Sequence, residues 1–175
     1  MQMTHYMELL ATNQPWNLLI YMAIPVILAE TIAVTELYLL FTKKLDGKIA
    51  KLNKWRGIIL GVYFTYIFIT LFRDAYLPIT MANAWRGAVD VIAVTSYLLG
   101  VVPLAGIALL ELGVIGKNKN RNQKLALHAI FVGIFLVVAH VAMISGMLNP
   151  SVFGYKEAPM NMVTETMQPN MEMHQ

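Results

Sequence analysis

The sequence predicts an all-α integral membrane protein, a four-helix bundle with both termini on the extracytoplasmic side. Three observations carry that reading. Of the 175 residues 58% are hydrophobic and only 13% charged, well below the about 25% of soluble domains. The apolar residues fall into four long runs, and ten of the thirteen basic residues lie in two of the connections between them.

A hydrocarbon core roughly 30 Å thick needs about 20 helical residues at 1.5 Å each. The first run that satisfies this is Leu18 to Thr42, with Pro25 placed to bend it. The second is Gly57 to Ile79, whose Gly57 and Gly61 form a small-xxx-small pair suited to close helix packing. Next comes Gly87 to Gly116, longer than a straight crossing requires. Pro103 in its middle removes a backbone donor and predicts a kink. Leu125 to Leu148 is the fourth. Trp16, Trp55 and Trp85 each stand just before a run, where an indole prefers the headgroup layer.

Lys43, Lys44, Lys48, Lys51, Lys54 and Arg56 separate the first two runs; Lys117, Lys119, Arg121 and Lys124 separate the last two. By the positive-inside rule these two loops are cytoplasmic, which puts both tails outside. The net charge of +3 is therefore explained by topology and not by nucleic acid. Met1 to Met7 lacks the basic start and small-residue cleavage site of a signal peptide, so the first run reads as a retained anchor. The organisation is an N-terminal segment 1–17, a four-span domain 18–148 and a Met-rich tail 149–175, in a protein of the bacterial inner-membrane type.

The absence of cysteine excludes disulfides, zinc fingers, iron–sulfur clusters and thiolate catalysis. No phosphate loop, dinucleotide glycine pattern, nucleophile elbow or other catalytic motif appears. What remains is a set of ionisable residues at bilayer depth, where each charge costs at least ~2.5 kcal/mol and is usually paired or functional. Arg73, Asp74, Arg86, Asp90 and His140 fall in the outer part, Glu30 near the centre, and Glu36, Glu111 and His128 toward the cytoplasmic side. Arg86 and Asp90, four apart, are expected to meet on one helix face, with Arg73 answering Asp74 or Asp90. Glu36, Glu111 and His128 share a depth on three helices. They either converge on a cation as two oxygens and an imidazole, or form a hydrogen-bonded group of protonated glutamates around His128 and hydroxyls such as Thr35.

All twelve methionines lie on the predicted outward side. His140, Met143 and Met147 form an i, i+3, i+7 stripe on the fourth helix, with Met22 and Asp90 expected nearby. The tail adds Met160-x-Met162 and Met171-x-Met173-His174, echoed by Met1-x-Met3-x-His5. Thioether and imidazole together suit Cu(I) better than hard cations, although a single helical Met is more often a core gap-filler. The segment Met143-Ile144-Ser145-Gly146-Met147 resembles the Met-x-x-x-Met element in the pore of the eukaryotic copper-uptake transporters, which also carry outward Met-rich termini. Those transporters have three spans and an inward C-terminus, so the likeness reads as convergent chemistry. It implies that Met143 and Met147 carry copper at a pore mouth.

The favoured function is therefore Cu(I) acquisition, transport or delivery. His140, Met143, Met147, Met22 and Asp90 would act first, Glu30 deeper, and Glu36, Glu111 and His128 as an inner station. One alternative is a redox subunit holding haem b or copper; bis-histidine haem is disfavoured because His128 and His140 lie on one helix about 18 Å apart. Another is a proton or cation pathway through Asp90, Glu30 and Glu36. A structural role, with buried charges locking the chain into a larger membrane complex or a homo-oligomer, is the last. The bilayer and a metal ion are the expected partners.

Overall fold

The computed structural model describes residues 3–43 and 47–155. Among them the chain is helical apart from short connections. A short helix α1 (His5–Ala11) precedes four helices long and apolar enough to cross a membrane: α2 (Trp16–Thr42), α3 (Lys48–Met81), α4 (Ala88–Glu111) and α5 (Arg121–Met147). Consecutive spans pack on each other and α5 returns to α2, closing a ring. A 3₁₀ turn, Pro150–Phe153, follows the last span.

The span limits differ from the expected ones for local reasons. Helix α3 begins at Lys48, not Gly57, because Lys and Arg favour helix and their charges reach water beyond the apolar stretch. Helix α4 ends at Glu111, not Gly116. Gly113 and Gly116 have φ of 76° and 69°, the left-handed conformation with which helices stop.

Both proline expectations have a structural counterpart. Pro103 cannot donate to the carbonyl of Leu99, and α4 is interrupted at Gly100, just after it. In α2 a π-helical turn, Leu19–Ala23, directly precedes Ile24-Pro25. Pro25 has no N–H to give the carbonyls four and five residues back, those of Tyr21 and Ile20. Tyrosine hydroxyls from other spans serve them: Tyr97 donates to Tyr21 at 2.5 Å and Tyr63 to Ile20 at 2.9 Å. Unpaired backbone groups are too costly in hydrocarbon to leave open. The same π-then-proline order recurs in α3, with the turn Phe72–Tyr76 followed by Leu77-Pro78.

Gly57 and Gly61 line the α3–α4 contact. A Cβ on Gly61 would lie 2.5 Å from the Leu104 carbonyl oxygen, and one on Gly57 would lie 2.9 Å from His128 Nε2. Near the first and last described residues Tyr6, Tyr97, Phe64 and Phe135 form an aromatic chain with centroids 5.2–5.5 Å apart. Helix α1 docks there: Thr4 caps it through Met7 N and donates to the Gly146 carbonyl at 2.7 Å. The described N- and C-terminal residues thus share one end of the bundle, opposite the end that holds the basic connections.

Gly61→Ala should lower the thermal midpoint in detergent, with a loss of about 1–3 kcal/mol from overpacking against backbone that cannot yield. Gly133→Ala, where an added methyl group meets open space, should leave it unchanged or slightly raised.

Candidate functional site

Toward the basic end, three spans contribute one contiguous ionisable group. Glu36 of α2 and His128 of α5 have side chains only 3% and 1% exposed, and His128 Nδ1 meets Glu36 Oε1 in a direct hydrogen bond. On the other edge of the ring, His128 Nε2 faces Glu111 Oε1 of α4 at 3.5 Å and has no hydrogen-bond partner among the described residues. Gly57 makes room for that ring edge. The carboxylates flank the imidazole from opposite edges and do not share a point with it. Among the described residues no three His, Asp or Glu side chains converge as metal ligands would. Thr35 bonds to Asn53 and to its own helix, not to the triad.

Glu111, 23% exposed, is the group's link to its surroundings. It lines a cleft of about 320 Å³ at the basic end, together with Lys51, Asn53, Lys54, Arg121 and Lys124. Toward the terminal end, Phe64, Leu60, Leu104, Ile107 and Phe135 are almost fully buried, an apolar core that separates the triad from the opposite side.

A second polar centre lies at the terminal end. Asp90 is fully buried, and its carboxylate accepts the His5 backbone N–H at 2.7 Å, the Arg86 backbone N–H at 3.0 Å and the His5 ring at 2.6 Å. The expected Arg86–Asp90 side-chain pair does not form. The Arg86 guanidinium instead reaches Glu8 and the Met3 carbonyl, both at 2.7 Å, because α1 lies over it and the nearer backbone N–H already occupies Asp90. Arg73 pairs with its neighbour Asp74 at 2.7 Å, both exposed. Sequence reasoning counted His5 only in a soft-ligand cluster with Met1 and Met3, and missed that α1 partners Asp90 and Arg86. His5 and Asp90 are 85 positions apart, and the only local signal was Thr4 as a helix cap ahead of an apolar stretch.

Met22, His140 and Met143 come together. They line one cavity of about 40 Å³ with Pro25, Tyr6, Tyr97 and Phe135, a volume for an ion or a water or two and too small for a macrocycle. His140 Nδ1 donates to the Leu136 carbonyl at 2.6 Å. A carbonyl only accepts, so in the neutral ring the lone pair lies on Nε2. Tyr6 borders the same cavity, and burial pushes its phenol up to about 12, so it stays neutral at ordinary pH.

The other proposed ligands lie elsewhere. Met147 is 64% exposed. Asp90 is engaged with α1. Glu30 sits halfway along α2 on its outward face, between the exposed Ile27 and Val34, and has no partner among the described residues. Met1 and the tail methionines with His174 fall outside the described residues.

A family model described as a family of unknown function, DUF6803, matches residues 1–162. The chain belongs to that family. No curated protein and no solved structure matches it. The DUF6803 match takes in all four spans, the Glu36–His128–Glu111 group and the Asp90 centre, while Met167, Met171, Met173 and His174 lie beyond it.

Asp90→Ala should strand two backbone N–H groups and the His5 ring. A loss of about 3–5 kcal/mol is expected by denaturation in detergent, with faster proteolysis ahead of Trp16. Asp90→Asn, which keeps an acceptor oxygen, should lose less.

Proposed function

We propose that this is a proton-binding membrane protein of the cation-handling type, with Glu36, His128 and Glu111 as its protonation site. The observation that supports the reading is an imidazole held almost fully buried between carboxylates from two other spans, with one ring nitrogen lacking a hydrogen-bond partner among the described residues. A neutral imidazole carries a single N–H and satisfies one carboxylate; a second proton on Nε2 makes it a donor to both. Such a proton arrives from the basic cleft at Glu111 and passes to Nε2, while Glu36 holds Nδ1. The apolar core beyond the triad blocks simple passage, so the site loads from one end. By the positive-inside rule that end is cytoplasmic.

In lipid nanodiscs, the ¹⁵N resonances of His128 should pass from one neutral tautomer to imidazolium on acidification. Glu111→Gln and Glu36→Gln should each change that titration, and His128→Gln should abolish it. A His128 that keeps one neutral tautomer on acidification both through and well below the range in which free histidine titrates would remove this reading.

A second reading, Cu(I) binding at the terminal end, is favoured by the shared cavity of Met22, His140 and Met143. Two thioethers and an imidazole lone pair form a soft donor set. The cavity is of ionic size. Copper retained after purification, measured by elemental analysis, should fall in Met22→Leu/His140→Ala/Met143→Leu and persist in Met147→Leu. Equal retention in both variants counts against a site in this cavity.

A further inference from the structure

The cleft at the basic end has a composition that topology alone does not require. The positive-inside rule asks only that Lys and Arg occupy the connections. Lys43, Lys48, Lys117 and Lys119 meet that demand without lining the cleft. Lys51 and Lys54 are three apart in the first two turns of α3, and Arg121 and Lys124 are three apart at the start of α5, so each pair shares a helix face. Both faces turn on one space of about 320 Å³, with Glu111 as its only acidic lining residue among the described residues. Lys51, Lys54 and Lys124 form no ion pair among the described residues. The two helices also begin here, so their positive dipole ends add to the field.

We infer that this cleft binds a phosphate group, carried by a phospholipid headgroup or by a soluble phosphoester. A tetrahedral anion with several acceptor oxygens can take donors from both helices at once, with the ammonium groups of Lys51, Lys54 and Lys124 as point charges. The volume suits a headgroup-sized ligand and exceeds the need of a bare ion. Trp55, 63% exposed and adjacent to Lys54, marks the interfacial depth at which phosphates lie. The inference is independent of whether the triad titrates, since it rests on the cations alone.

The test compares two triple variants of the full chain that lose the same charge: Lys51→Gln/Lys54→Gln/Lys124→Gln in the cleft, and Lys43→Gln/Lys117→Gln/Lys119→Gln outside it. Dihexanoyl phosphatidic acid and glycerol 3-phosphate are titrated separately against detergent-solubilised protein. The cleft variant should bind the phosphatidic acid at least tenfold more weakly than the parent, and the control within threefold. Should the cleft triple fold poorly, Lys124→Gln alone should give about a threefold loss where Lys119→Gln alone gives none. Glycerol 3-phosphate bound with the same discrimination assigns a soluble phosphoester; binding of the lipid alone assigns a headgroup. Equal weakening by the two triples, or no binding of either probe, overturns the inference.

Discussion

Neither Glu36 nor His128 can reach water, so each has to be satisfied by the other, and that requirement fixes α2 against α5. An ionisable side chain inside a membrane bundle is tolerable only with a partner at hydrogen-bonding distance. Much of the basic half follows from meeting it. Gly57 carries no side chain where the imidazole edge passes. Glu111 stands at the end of α4, facing His128 Nε2 and the cleft at once. The glycines that end α4 lie directly after it.

The backbone faces the same rule at the other end. Pro25 leaves carbonyls in α2 without donors, and Tyr63 and Tyr97 supply hydroxyls from α3 and α4. Asp90 works in the opposite sense, as an acceptor for backbone N–H groups of α1 and of the turn before α4. One buried carboxylate thereby holds the N-terminal helix over the bundle mouth, with Thr4 and Gly146 closing the contact. The two ends consequently differ in chemistry. One is an aromatic and thioether-lined enclosure under a short helix; the other is a charged cleft over a buried triad.

Several site residues were legible in advance because depth along a span can be counted. Glu36, Glu111 and His128 were grouped by depth and do meet. Met22 joined His140 and Met143 for the same reason, and the i, i+3 step brings His140 and Met143 to a common face. Counting depth does not give rotation about the helix axis. Glu30 was placed at the right height but faces outward, and Met147, one turn beyond Met143, is already exposed. The Arg86–Asp90 spacing was read as a pair because α1 was treated as a tail. Once that segment folds back, it offers both partners better ones.

The sequence by itself determined the number of spans, their approximate limits, the basic connections and the sites of proline disturbance, because each depends on residues close in the chain and on a fixed bilayer thickness. Tertiary structure alone decided which edge of His128 meets which carboxylate, that His5 and Glu8 claim Asp90 and Arg86, and that four cations of two helices line one cleft. These outcomes depend on how the helices are rotated and packed against one another. Rotation is set by the summed contacts of the whole ring, which no local spacing records.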